Sequence, residues 1–327
     1  MASLRELVAP ALRRILCCVA LFFSAWPLSQ AMELETPNPA FRAVPEYEMD
    51  RGLELFVHAN LQFTLLHEMS HMFFDLFDVP LLGSEEDAAD RAAIAAILNG
   101  GTPEDGFSAE QKLLAVAANW HAEWDSLPEN QRSLSYSDGH AQEIQRAHTI
   151  ACFVYGSDPE RYDGLIYAHV MPFKRMIECE AEYQQAVKSV GWLERHYSRS
   201  AHGDPELIST RIHVIYDEMK VSRRSAIQYM FNKYQYENFV ERIETTYLLP
   251  RNVKVVFGMC RGRANASWDT INKQVTVCYE LIEHFFETYE IAKSYRSKGC
   301  QYSDIRKAME PFYDCVRQRK EPVSPKI

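Results

Sequence analysis

Hydrophobic positions recur at helical spacing through much of the chain, and the first long run covers residues 53–78. Pro80 cannot continue that helix. Ser84 is a favourable N-cap with Asp87 three residues later, so the alanine-rich segment "EEDAADRAAIAAILN" predicts a second helix that ends at Gly100. The pattern therefore predicts two successive helices joined by a short turn.

The remaining pattern is mostly helical as far as Pro250. Further helices are predicted over residues 108–125, 140–155, 159–171, 173–197, 206–246 and 281–296. After Pro250 the period changes, and "VKVVFGMC" and "QVTVCYEL" are β-rich runs that predict a hairpin or two neighbouring strands. The predicted fold class is α+β, mostly helical, with a small β-hairpin or sheet in the C-terminal part.

The N-terminus has the order of a secretory signal peptide. Arg5, Arg13 and Arg14 precede the apolar run "ILCCVALFFSAWPL", and small residues follow at Ser29-Gln30-Ala31. We place the signal peptide at residues 1–31 and expect an exported protein, either periplasmic or secreted. The apolar run is about half a dozen residues short of a comfortable membrane span, so we expect no stable span after cleavage. An uncleaved N-terminal anchor is the alternative.

Composition and charge restrict the functional classes. The chain has 327 residues, 47% of them apolar, which suffices for one large domain or two modest ones. The formal net charge is -10, and no basic block stands out in the body of the chain. We therefore expect no nucleic-acid partner.

The cysteines outside the signal peptide predict disulfides. They are Cys152, Cys179, Cys260, Cys278, Cys300 and Cys315. An even number of cysteines in an exported protein is typical of a disulfide framework. Sequence order favours the pairs Cys152–Cys179, Cys260–Cys278 and Cys300–Cys315, although six cysteines allow fifteen pairings. None of them shows CxxC spacing, which argues against a cysteine zinc site.

The segment "HEMSH" in the first predicted helix has the spacing of a zinc site. His67 and His71 are four residues apart and lie on one helix face, so both imidazoles can bind one ion. Glu68 lies one position round the helix, where it can take a proton from water that the metal activates. The structural alternative is that His67 and His71 are packed core histidines of an aromatic-rich helix.

A catalytic zinc needs a third protein ligand and an open fourth position. Glu86 and Asp90 share a face of the second helix, and the turn at Pro80 lets that helix fold back onto the first. We expect Glu86 to be the third ligand and Asp90 to accept a hydrogen bond from a ligand imidazole. Glu85, Asp87 and Asp90 remain alternatives for the third ligand, and acids in the first turn also stabilise the helix dipole.

Three segments resemble one protein family. They are "LLHEMSHMFFDLFDVPLLGSEEDAAD", "QRAHTIACFVYGSDPERY" and "LLPRNVKVVFGMCRGRANASWDTINKQVTVCYEL", which together sample most of the mature chain. The family consists of exported bacterial proteins that are described as zinc metallopeptidases and catalogued as a domain of unknown function. The first segment carries the most specific part of the resemblance.

The resemblance implies a zincin-like site of the glutamate type. His67, His71 and Glu86 would hold one Zn²⁺ per chain, Glu68 would be the general base, and the substrate would be a peptide or protein. The alternative is a non-catalytic metal-binding or structural envelope protein that keeps this architecture.

The expected domain organisation follows from the site and the linker-like segment "SRSAHGDPE". Residues 32–197 would form the zincin-like metallopeptidase region. Residues 198–321 would form a helical region with a β-hairpin that packs on it, and residues 322–327 a disordered tail.

Peptide hydrolysis also needs a group that stabilises the oxyanion of the tetrahedral intermediate. The candidates from residue type and position are His140, His148, Tyr279 and Arg146. Each of them also has a purely structural alternative, as a helix cap, a packed side chain or a member of an ion pair.

Overall fold

Helices dominate the part of the chain that the computed structural model describes, namely residues 47–100, 105–128, 141–162, 173–202 and 212–296. The helices are α1 (Arg51–Leu76), α2 (Glu85–Asn99), α3 (Ala109–Ser126), α4 (Glu143–Ser157), α5 (Phe173–Met176), α6 (Cys179–Tyr197), α7 (Arg199–His202), α8 (Arg224–Tyr234), α9 (Tyr236–Thr246) and α10 (Tyr279–Arg296). The strands are β1 (Ile212–Tyr216), β2 (Val253–Gly258), β3 (Ala266–Asp269) and β4 (Gln274–Cys278). The predicted α+β class is confirmed, with the small sheet in the C-terminal part.

Side-chain caps mark where the first three helices begin. Asp50 caps α1. Ser84 accepts a hydrogen bond from the backbone N–H of Asp87 at the start of α2, with a distance of 3.4 Å. Ser108 and Gln111 form a reciprocal capping box at the start of α3. The predicted starts of α2 and α3 are therefore confirmed, and each cap contributes about 1 kcal/mol to stability.

Helix α1 is buried along most of its length, because α2, α3, α10 and the sheet pack around it. Its apolar side chains Leu61, Leu65 and Met72 are completely buried. The helix also buries polar side chains, and these are Glu54, His58, Asn60, His67 and Glu68. A buried polar group costs free energy unless it is hydrogen-bonded, so these side chains require partners from the chain around them.

The sheet has the strand order β1-β2-β4-β3. Strands β1, β2 and β4 run parallel, and β3 pairs antiparallel with β4. The prediction that the two β-rich runs after Pro250 form neighbouring strands is therefore confirmed. The alternative prediction of a hairpin between them is wrong, because parallel strands need a crossover connection. The hairpin is formed instead by β3 and β4.

The predicted helix over residues 206–246 is wrong in its first part, where Ile212–Tyr216 forms β1. The segment "IHVIY" is rich in β-branched residues, which favour strands. Its partner is β2, and Ile212 pairs with Val253 some forty residues later. Residues 217–223 are not helical, and the helical remainder is divided into α8 and α9 at Gln235, whose φ of 42° is left-handed.

The β3–β4 hairpin is attached to the C-terminal end of α1. Trp268 Nε1 donates to Asp75 Oδ2 at 3.2 Å, and Lys273 Nζ pairs with the same oxygen at 2.6 Å. Asp75 follows His71 by about one helical turn. The edge of the sheet is therefore held beside the segment of α1 that carries the two histidines.

Two of the predicted disulfides are confirmed. Cys152–Cys179 links α4 to α6, with a Cα–Cα distance of 5.0 Å. Cys260–Cys278 links the segment after β2 to the end of β4, with a Cα–Cα distance of 5.5 Å. Both disulfides therefore join elements that are adjacent in the fold.

Other predictions fall outside the described residues. They are the signal peptide at 1–31, most of the helix at 159–171, the Cys300–Cys315 pair, the tail at 322–327 and the candidate His140. Within the residues that the structure describes, no helix has both the length and the apolar character needed to cross a membrane.

Gly156 lies where α4 passes very close to α6. A Cβ atom at this position would lie 2.3 Å from the carbonyl oxygen of Cys179, so the backbone would have to shift. Gly191 in α6 provides a matched control, since its Cβ would meet the flexible end of Arg195 at 3.3 Å.

We expect Gly156→Ala to lower the free energy of unfolding by about 1–3 kcal/mol, the usual cost of overpacking. Gly191→Ala should leave it unchanged or raise it by up to about 1 kcal/mol, because alanine favours helix more than glycine does. Urea unfolding followed by circular dichroism measures both values. Equal stability of the two variants would contradict the close approach at Gly156.

Candidate metal centre

Two histidines of α1 and one glutamate of α2 direct their ligand atoms at a common point. Nε2 of His67 lies 3.2 Å from Nε2 of His71 and 3.2 Å from Oε2 of Glu86. Nε2 of His71 lies 3.3 Å from the same oxygen. A tetrahedral ion bound at about 2.0–2.1 Å separates its ligand atoms by about 3.3–3.4 Å. The triangle therefore has the size of one face of a zinc coordination tetrahedron.

The outer nitrogen of each imidazole contacts a carboxylate. His67 Nδ1 lies 2.8 Å from Asp90 Oδ1, and His71 Nδ1 lies 2.7 Å from Glu85 Oε1. Because a carboxylate accepts hydrogen bonds, each Nδ1 donates, and each Nε2 of a neutral imidazole then presents a lone pair. Together with the Glu86 oxygen, three lone pairs converge on one point. Such an arrangement suits a cation.

The four acids of α2 differ in what their side chains reach. Glu86 lies in the triangle of ligand atoms. Asp90 contacts the outer nitrogen of His67, and Glu85 contacts that of His71. Asp87 is exposed in the first turn of the helix. Among the four alternatives for the third ligand, this geometry favours Glu86.

The electrostatics of the centre favour positive charge. Burial disfavours the imidazolium form of His67, yet its hydrogen bonds to Asp90 and Glu86 outweigh burial, and the charges of Asp90 and Glu68 add to them. The result is a pKa for His67 raised to about 9. The same carboxylates would stabilise a metal cation in place of that proton. Donor set, spacing and charge therefore all fit a divalent metal ion.

Arg146 contacts Asp90, the carboxylate that accepts a hydrogen bond from His67. Its Nε donates to Asp90 Oδ2 at 2.7 Å and its Nη2 to Asp90 Oδ1 at 2.6 Å. Burial would raise the pKa of Asp90, but the hydrogen bond from His67 and the charge of Arg146 hold it below its ordinary value. From the sequence, Arg146 is a candidate for oxyanion stabilisation. In the structure two of its nitrogens instead donate hydrogen bonds to Asp90, which lies 56 positions earlier in the sequence. A local sequence pattern cannot predict such a distant contact.

The other candidates for oxyanion stabilisation have different surroundings. The Tyr279 hydroxyl donates to the backbone carbonyl of Asp217 at 3.0 Å. The pKa of His148 is lowered by burial and by the positive charges of His121 and Arg175. These contacts include none of the three converging atoms of His67, His71 and Glu86, so they lend no support to either residue as the oxyanion group.

A family model described as "Putative metallopeptidase" matches residues 29–193 and 216–313, which together cover most of the chain. No curated protein and no solved structure matches. His67, Glu68, His71 and Glu86 all lie in the first matched segment, so the centre belongs to the part of the chain that the family shares.

We expect zinc to raise the thermal unfolding temperature of the wild-type protein, because an ion that binds the folded state stabilises it by mass action. At a zinc concentration of about 100 times the Kd, the free energy of unfolding should rise by about 2.7 kcal/mol. His71→Ala removes one ligand and should abolish most of the shift. The measurement is a thermal melt after chelator dialysis, with and without added zinc.

His121→Ala is the matched control for this measurement. His121 is an exposed histidine of α3 that pairs with Asp125 at 3.2 Å. Its replacement should leave the zinc-dependent shift intact. A shift that survives in His71→Ala would show that zinc acts elsewhere on the protein.

Proposed function

Because the chain belongs to the family described as "Putative metallopeptidase", we propose that it is a zinc-dependent hydrolase that cleaves peptide bonds. In this proposal His67, His71 and Glu86 hold one zinc ion per chain, and Glu68 is the general base. The observation that carries the proposal is the convergence of three ligand atoms that are 3.2–3.3 Å apart. The proposed substrate is a peptide or protein.

Each residue of the centre has a separate role in this reaction. When bound, zinc supplies the Lewis acidity that makes water a nucleophile near neutral pH. Glu68 accepts a proton from the attacking water at its carboxylate and then delivers that proton to the leaving amine. A carbon–oxygen bond forms at the scissile carbonyl and the carbon–nitrogen bond breaks. The products are a carboxylic acid and an amine.

The environment of Glu68 supports its assignment as general base. The residue is 8% exposed and follows His67 directly on α1. A buried carboxylate costs free energy unless its charge is compensated. A protein that only binds metal has no need of this acid, whereas a hydrolase does. The buried position of Glu68 therefore favours catalysis over the non-catalytic alternative.

Asp90 and Glu85 complete the proposed centre by orienting its ligands. Hydrogen bonds from Nδ1 of His67 to Asp90 and from Nδ1 of His71 to Glu85 hold both rings with Nε2 toward the common point. The ligand atoms are thereby arranged before a metal binds, which reduces the reorganisation that binding requires.

We also propose that the protein is exported. The disulfides Cys152–Cys179 and Cys260–Cys278 form and persist in oxidising compartments such as the bacterial periplasm. The signal-peptide pattern of residues 1–31 supports the same conclusion.

We expect about one zinc ion per chain in protein purified from an oxidising compartment without chelator. Glu68→Gln should keep this zinc, because Glu68 is not a ligand, and should lower the rate of peptide cleavage by about 10²–10⁴-fold. Metal content is measured by mass spectrometry. Cleavage is measured on a mixture of synthetic peptides by liquid chromatography and mass spectrometry.

Glu290→Gln makes the same chemical change at an exposed position of α10 and serves as the control. It should retain both zinc and activity. If Glu68→Gln cleaved peptides at the wild-type rate, the general-base assignment would be wrong. A wild-type protein that binds zinc and cleaves none of the peptides would favour the non-catalytic alternative.

A further inference from the structure

The carboxylate of Asp90 is held by two groups at once. Its Oδ1 accepts hydrogen bonds from Nδ1 of His67 at 2.8 Å and from Nη2 of Arg146 at 2.6 Å. Its Oδ2 accepts a hydrogen bond from Nε of Arg146 at 2.7 Å. Asp90 and Arg146 are 8% and 9% exposed. A bidentate guanidinium fork fixes the plane of a carboxylate, which a single hydrogen bond does not. The direction in which Asp90 offers Oδ1 to His67 therefore depends on Arg146.

Arg146 is itself held in place by a third helix. Its guanidinium carbon lies 3.7 Å from the centre of the Trp120 ring, so one flat face of the group is covered. Trp120 belongs to α3, Arg146 to α4, Asp90 to α2 and His67 to α1. One line of contacts thus connects four helices and ends at a proposed metal ligand.

The two proposed histidine ligands are supported unequally. The side chain of Asp90, which contacts His67, is 11% exposed, whereas the side chain of Glu85, which contacts His71, is 55% exposed. Water competes for an exposed hydrogen bond, so Glu85 orients its histidine weakly. The orientation of His67, by contrast, is determined by buried groups.

We propose that Arg146 is a positioning residue for the metal centre: its fork on Asp90 fixes the orientation of His67 and so determines how tightly zinc is held. The inference rests on the proposed function, because it takes zinc to be the bound metal. It assigns to Arg146 a role in metal retention and not in oxyanion stabilisation.

Two effects of Arg146 on zinc oppose each other. Its positive charge repels the metal, so its removal would tighten binding if Asp90 stayed ionised in place. However, Asp90 is buried, and a buried carboxylate that loses its cation cannot keep both its charge and its position at low cost. We expect the loss of orientation to dominate, so that removing Arg146 weakens zinc binding.

The test is zinc affinity, measured by competition with a chelator on the full chain, alongside circular dichroism and a thermal melt of the apo protein. Arg146→Met should weaken zinc binding by about 10–100-fold, the usual effect of losing a group that orients a metal ligand. Arg146→Lys keeps the charge without the fork and should show an intermediate loss.

Arg175→Met is the matched control. Arg175 also makes a bidentate pair, with Glu182 at 2.6 and 2.8 Å, and Glu182 contacts neither His67 nor His71 in the described hydrogen bonds. Its removal deletes a bidentate ion pair of the same kind and should change zinc affinity by less than about twofold, since it orients no metal ligand.

A double variant separates positioning from general structural support. If Arg146 acts through Asp90, then adding Arg146→Met to Asp90→Asn should weaken zinc binding by less than about twofold beyond Asp90→Asn alone. Asp90→Asn also removes the uncompensated buried charge. The double variant and Arg146→Lys therefore decide the matter even if Arg146→Met alone fails to fold.

The outcomes are distinct for the two proposals. Wild-type protein that binds no zinc overturns the proposed function. If wild-type protein binds zinc, the positioning role alone is overturned when the folded Arg146 variants bind zinc as tightly as wild type or more tightly. It is also overturned when Arg175→Met weakens zinc binding as much as the Arg146 variants do. A full additional loss in the Asp90→Asn background also overturns it.

Discussion

Helix α1 is buried together with several polar side chains, and the packing of the elements around it has to satisfy those side chains. A helix surrounded by other elements can keep polar side chains only where they are hydrogen-bonded, and most of these partners lie outside the helix. Glu54 is satisfied by Lys233 and by the Tyr234 hydroxyl at 2.8 Å, both from α8. His67 is satisfied from α2. The buried side chains of Glu54 and His67 are thus hydrogen-bonded only when α8 and α2 pack against α1.

Three sets of contacts hold α1 along its length. Near its N-terminal half, His58 lies between Asp105 at 3.0 Å and the Tyr236 hydroxyl at 2.9 Å, and burial lowers its pKa. The histidines of the metal centre occupy the next part. At the end, Asp75 binds Lys273 of the β3–β4 hairpin. Because α1 is held on both sides of the centre, its two histidines have little freedom to move apart.

The candidate site was predictable from sequence to the extent that it is local. His67 and His71 share a face because of their spacing, and Ser84 starts α2 so that Glu86 and Asp90 share another. The contacts of Arg146 and Trp120 were not predictable, because Arg146 of α4 binds Asp90 of α2 and Trp120 of α3 packs on Arg146. A sequence pattern reports periodicity within one element and carries no information about which elements meet.

The same division applies to the fold. Local sequence sets the helix starts at Ser84 and Ser108, the β-rich character after Pro250 and the helical spacing of the histidines, since each depends on neighbours within a few residues. That β1 pairs with β2 and that β2 and β4 run parallel depends on contacts between distant segments. Strand pairing is a contact between distant segments, and its free energy comes from partners that a short sequence window does not contain.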